Sequence, residues 1–113
     1  MDYKQVKFSK LDGRAAAPVY GSSFAARADL RALCDDAVTI QPGETVLIHT
    51  GLAMEIPEGL VGLVYARSGL ASKRGLAPAN CVGVIDSDYR GEIMVALRNH
   101  SDQAQIIESG ERI

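Results

Sequence analysis

Glycines at positions 43, 51, 59, 75, 83 and 91 stand at intervals that are multiples of eight, and the segments between them are rich in Val, Ile and Leu. A chain interrupted this often is expected to form short strands joined by turns. QPGE at 41 to 44 puts Pro second and Gly third, the chemistry of a type II turn, and IPEG at 56 to 59 offers another turn. The intervening stretches TVLIHT, LAMEI, LVGLVYA, CVGVI and EIMVALRN are predicted strands, with QVKFS and AQIIE adding one near each end. SGLASKRG, 68 to 75, predicts a helix of about two turns, with Ser68 as a candidate N-cap and Gly75 at its end. The fold expected is all-β, a jelly-roll-like β-sandwich with one short helix, in a single domain spanning 1–113.

Charge narrows the partners. The formal net charge of -2 comes from interspersed signs, so no basic patch points to a nucleic-acid polymer or an anionic membrane. The longest apolar run, Leu60 to Ala66, is too short to cross a bilayer, and MDYKQVKFSK lacks the apolar core of a secretory signal. Cys34 and Cys81 have no metal-site spacing and are expected to be buried, reduced thiols. A cytoplasmic protein is the expectation. His49 and His100 stand alone and receive no role.

The loops carry the chemistry. Arg67, Ser68 and Gly69 sit where a strand hands over to the helix, so free N–H groups, a hydroxyl and a guanidinium could receive phosphate oxygens. The plainer alternative is a capping serine beside a solvated arginine. Asp86 ends the run VGVI, where a carboxylate at a strand rim could activate a water. Asp88 follows two residues later and would share its face if the strand continued, giving two carboxylates for one divalent cation. A pair of turn-forming aspartates is the alternative. Tyr89 beside them offers a sugar or base an aromatic surface.

Taken together, ARADLRA, ARSGLA and GVIDSDYRGE resemble, in order, the first three motifs of the trimeric deoxyuridine triphosphatases. The third match is the most specific, and PGETVLIHTGLAMEIPEG is similar to the family's connecting strands. The resemblance implies the family's β-clip variant of the jelly-roll and a homotrimer with three sites at subunit interfaces. It also implies Mg²⁺-dependent hydrolysis of dUTP to dUMP and pyrophosphate. Carried over by position, Asp86 matches the carboxylate that orients the attacking water and contacts the 3′-hydroxyl. Tyr89 matches the aromatic that packs on deoxyribose and excludes a 2′-hydroxyl. Asn80 with Val84 and Ile85 matches the uracil pocket, and Met94 a further nucleotide contact. Arg67, Ser68 and Gly69 match the phosphate-binding segment given by a neighbouring subunit. Asp29 matches a carboxylate that reaches the metal through water, with no direct protein ligand to the metal expected.

Three departures stand out. Arg27 occupies the first motif's usual glycine position, and if that position needs positive φ, arginine is expected to strain the loop. Ala66 replaces the usual proline before Arg67. The sequence reaches SGERI, within what resembles the fourth motif, so a closing glycine-rich arm is expected to be missing and turnover impaired. The competing readings are a dCTP deaminase of the same fold and a non-catalytic trimeric module that senses nucleotides or binds a partner.

Overall fold

The computed structural model describes residues 4–113; the first three residues of the segment read as non-secretory lie outside them. Along the described residues run β1 (Lys7–Lys10), β2 (Val19–Tyr20), β3 (Ala28–Asp29), β4 (Val38–Ile40), β5 (Thr45–Glu55) and β6 (Gly62–Val64). They are followed by α1 (Ser68–Arg74), β7 (Leu76–Pro78), β8 (Gly83–Ile85), β9 (Glu92–Asn99) and β10 (Gln105–Ile107). The all-β expectation holds, with one short helix where SGLASKRG predicts it.

β9 organises the molecule. Its side chains alternate, so Ile93, Val95, Leu97 and Asn99 are buried while Met94 and Arg98 are exposed. It lies in an antiparallel sheet of order β1-β5-β9-β7, around which β4 with β10, β2 with β3, and β6 with β8 form three small ladders. Ile40, Ile48, Leu76, Leu97 and Ile107 meet at the core, joined by Leu70 from the helix and by Ile113. Burying each of these large side chains contributes about 1.5–3 kcal/mol.

TVLIHT and LAMEI are one strand, not two. Gly51, at φ +70°, makes a bulge within β5 instead of a turn, and the register against β9 shifts between His49 and Ala53. Its backbone stays satisfied: Gly51 N donates to Glu92 Oε2 at 2.9 Å, and Leu11 N donates to Gly51 O at 2.7 Å. The QPGE turn forms as expected, with Gly43 at φ +78° and a 2.9 Å bond from Glu44 N to Gln41 O. The second turn closes one residue later than IPEG suggests, from Leu60 N to Pro57 O at 3.1 Å.

The helix ends at Gly75 in the left-handed conformation, φ +66°, but its N-cap is Arg67 rather than Ser68. Ser68 is already helical, and its carbonyl accepts from Ser72 Oγ at 2.6 Å. Both cysteines are free; Cys34 is half-buried, whereas Cys81 is exposed, contrary to expectation. Burial, with Asp35 and Glu111 nearby, pushes the Cys34 thiol up.

Candidate active site

The segment from Val82 to Leu97 does not close as a paired hairpin. β8 pairs with β6, matching Gly62 to Ile85 and Val64 to Gly83, while β9 pairs with β5 and β7. The last bond tying the chain after β7 to β9 runs from Ala79 N to Ala96 O at 2.7 Å. The chain then turns away through Asn80 and Cys81, with Cys81 N bonded to Pro78 O at 3.0 Å and Val82 N to Asn80 O at 2.7 Å. Cys81 takes φ +64°, a conformation that costs a non-glycine residue on the order of 1 kcal/mol. A steep local turn is therefore held where the two strands part.

The parting leaves a cleft of about 230 Å³, and Asn80, Val84, Ile85, Asp86, Tyr89 and Met94 all line it. Its volume is below the roughly 300 Å³ at which pockets for larger ligands begin, which suits a base and sugar better than a whole triphosphate. A larger concavity, about 420 Å³, lies by Asp12, Arg14, Asp35 and His49. Its charges are already engaged, since Arg14 bridges Asp12 at 2.9 Å and Asp35 at 2.8 Å. The Asp12 carboxyl is accordingly held down at about 2 by its hydrogen bonds with Arg14.

The loop from Asp86 to Gly91 is a folded turn. Tyr89 N donates to Asp86 O at 3.1 Å, so β8 stops at Ile85 and the two aspartates do not continue one strand face. The condition for a shared cation, a strand continuing through Asp86 and Asp88, is therefore not met, and the aspartates sit in a turn. Tyr89 Oη donates to Glu92 O at 2.7 Å, and Arg90 Nη1 donates to Ser87 O at 2.7 Å. The Glu92 carboxylate reaches the other way, accepting from His49 Nδ1 and from Gly51 N, each at 2.9 Å. Burial would raise this carboxyl, but those hydrogen bonds and the His49 charge outweigh it and hold the group below its ordinary value.

The second cluster lies elsewhere on the chain. Arg67 Nε donates to Asp29 Oδ1 at 3.3 Å, and Arg112 Nη1 approaches Asp29 Oδ2 at 3.6 Å. Arg27 Nη1 donates to Ala66 O at 2.8 Å. Arg27 has no positive φ, so the strain expected at this position is not present. Arg67 and Asp29 line a concavity of about 410 Å³ with Tyr65, and none of Arg67, Ser68 and Gly69 lines the cleft of Asp86 and Tyr89. The sequence marks neither Arg27 nor Glu92 as a site residue, although Glu92 stands at the end of GVIDSDYRGE and Arg27 is the first motif's odd residue.

Strands around β9, one short helix and a cleft where β8 and β9 part define a small all-β domain. The chain belongs to the dUTPase family, whose model matches residues 14–113. The deoxyuridine 5'-triphosphate nucleotidohydrolase of Desulfitobacterium hafniense (strain DSM 10664 / DCB-2) is 50% identical over 110 residues, covering 96% of this chain and 73% of that protein. The enzyme of the same name from Hydrogenobaculum sp. (strain Y04AAS1) is 52% identical over 104 residues, 92% of this chain and 72% of that protein. Among solved structures, a mutant Staphylococcus bacteriophage 80alpha dUTPase with dUpNHpp superposes with a TM-score of 0.87 at 27% identity. That match covers 98% of this chain and 79% of the phage protein.

Proposed function

We propose that this chain is a dUTP diphosphatase, hydrolysing dUTP to dUMP and pyrophosphate by attack of water on the α-phosphorus. The observation that carries the reading is the gathering of Asn80, Val84, Ile85, Asp86, Tyr89 and Met94 around one cleft between unpaired strands. β8 has a strand partner only on its β6 side among the described residues, so its other edge is free to meet a base. Uracil presents acceptor, donor, acceptor along its pairing edge, a pattern that backbone groups and the Asn80 amide can match. Cytosine would set its amino donor against a donor of the protein, and leaving buried polar groups unpaired can reject a ligand by roughly 10⁴ or more.

Tyr89, pinned through its hydroxyl, gives deoxyribose a fixed wall and leaves no room for a 2′-hydroxyl. Asp86 at the end of β8 orients the water and accepts its proton, a contribution of about 10² to 10⁴ in rate. Phosphate binding falls to Arg67, Ser68 and Gly69. Their position outside the cleft supports a homotrimer in which a neighbouring copy brings them to the nucleoside. Val61, Leu63, Tyr65 and Val84 are exposed on this monomer and would gain from such cover.

Among the described residues no three His, Cys, Asp or Glu side chains gather as a metal cage. Asp29, the acidic group beside Arg67, is already paired with two arginines. This donor set fits an ion that arrives with the nucleotide and meets Asp29 through water. Mg²⁺ so carried would supply neutralisation of triphosphate charge. The cellular role that follows is removal of dUTP before uracil enters DNA and supply of dUMP for dTMP synthesis, in the cytoplasm. No helix among the described residues is long and apolar enough to cross a membrane.

The test is pyrophosphate release with Mg²⁺ from dUTP, UTP and dCTP in parallel. Release from dUTP alone supports the assignment. Ammonia from dCTP would make the chain a deaminase, and saturable dUTP binding without pyrophosphate would make it a binding module.

A further inference from the structure

Arg27 and Asp29 are two residues apart at and beside β3, and both reach the same short segment ahead of the helix. Arg27 Nη1 takes the carbonyl of Ala66 at 2.8 Å, and Asp29 Oδ1 takes Nε of Arg67 at 3.3 Å. Arg27 lies in the bend that leads into β3 and Asp29 ends that strand, and the two side chains act on neighbouring residues of the segment. Its backbone is held by one and its guanidinium by the other. We propose that Arg27 is a positioning residue for phosphate binding: by fixing the peptide that precedes Arg67, it sets where the Arg67 fork points. The inference rests on the reading of Arg67 as a phosphate contact.

The segment needs such a hold. Arg67 is extended, φ −81° and ψ 129°, and its side chain makes no capping bond to the helix. Ala66 leaves φ free at the residue where the related motif has proline, and Arg27 stands where that motif has glycine. The two departures meet at one residue: a side chain absent from the usual pattern holds the carbonyl of Ala66, whose φ the usual ring would have fixed. The bond comes from a charged donor, which makes it stronger than a neutral pair, and the exposure of Arg27 weakens it. Misplacing a binding group by a fraction of an ångström weakens the contact it makes without unfolding the chain. Arg112 Nη1 at 3.6 Å from Asp29 Oδ2 completes the cluster. Because Arg112 and Arg67 share that carboxylate, Asp29 alone fixes the Arg67 side chain less firmly than a dedicated pair would.

The experiment measures binding of dUpNHpp and of dUMP by calorimetry to the parent, Arg27→Ala, Ala66→Pro and the double variant, with thermal midpoints beside them. Arg27→Ala is expected to weaken dUpNHpp about 5- to 10-fold and to leave dUMP affinity and the midpoint within error. In the double variant proline takes over the restraint, so the effects of the two substitutions are non-additive and dUpNHpp affinity returns toward the parent's. Unchanged dUpNHpp affinity in Arg27→Ala overturns the inference. So does an equal loss for both ligands, or additivity in the double variant, which would show that Arg27 acts through its charge alone. A parent that binds neither nucleotide removes the functional reading itself and the inference with it, so the two failures are told apart.

Discussion

The Tyr89 hydroxyl donates to the Glu92 carbonyl at 2.7 Å, so the aromatic wall of the cleft is tied to the first residue of the strand that forms its opposite side. Gly91 makes the bond possible: a Cβ there would lie 2.6 Å from Tyr89 Oη and 2.8 Å from Cζ. Those atoms are the far end of a partly exposed side chain that can swing into solvent. Gly91→Ala is therefore expected to cost little stability, within about 0.5 kcal/mol, yet to displace the ring. The ratio of kcat/KM for dUTP over UTP should fall at least severalfold while the thermal midpoint barely moves. An unchanged ratio would remove Tyr89 as the sugar gate.

Asp86 closes β8 with its backbone carbonyl already accepting from Tyr89 N at 3.1 Å, which leaves its side chain to the cleft. Asp86→Asn keeps the shape and removes the carboxylate proposed as the base. Turnover of dUTP is expected to drop by about 10² to 10⁴, with dUpNHpp affinity within severalfold of the parent's. Rapid-quench turnover and calorimetry separate the two, and a variant that hydrolyses normally would take Asp86 out of the reaction.

Much of this was legible in the sequence because it depends on local chemistry. The alternation of EIMVALRN becomes β9, SGLASKRG becomes α1 with Gly75 as its left-handed cap, and QPGE becomes its turn. What stayed hidden depends on partners far along the chain. Gly51 has the look of a turn glycine, but Glu92, 41 residues on, accepts its N–H and makes it a bulge. CVGVI and EIMVALRN are each legible as strands, but only the ladders with β6 and β5 show that the two do not pair with each other. Arg27 suggested strain for the same reason, since its acceptor, Ala66 O, is 39 residues away.

Asn99 is fully buried and ties β9 to two other segments, β4 and the loop before β10. Its Nδ2 donates to Ile40 O at 2.9 Å and Gln103 O at 2.7 Å, and its Oδ1 accepts from Ser101 N at 2.9 Å. Truncation strands the carbonyl of buried Ile40 in β4 and frees the backbone N–H of Ser101, whereas Gln103 O keeps Ser101 Oγ as a donor at 2.9 Å. Asn99→Ala is expected to lower unfolding free energy by about 3 kcal/mol, read as a lower urea midpoint at unchanged slope. A shift under 1 kcal/mol would mean that the loop around Gln103 relaxes and resolvates its carbonyls.

Glu92 links acid stability to the cleft. Its carboxylate holds His49 and the Gly51 N–H, and the native group has a pKa below the usual glutamate value of about 4.3. A depressed native pKa means that the charged form is favoured by folding. Its stabilisation is complete above the unfolded value and is lost as pH falls through the lowered native one. Glu92→Gln keeps the size but cannot offer a charged acceptor to both partners. Near pH 7 the variant is expected to be less stable than the parent by about 1 kcal/mol. The gap should shrink only below about pH 4.3, where the parent carboxylate takes up its proton. Thermal midpoints of both proteins between pH 7 and pH 3 check this, and a gap constant across that range would show that Glu92 contributes by packing rather than by charge. Because Tyr89 bonds to the carbonyl of this same residue, dUTP selectivity over UTP should decline in Glu92→Gln more than its stability loss alone implies.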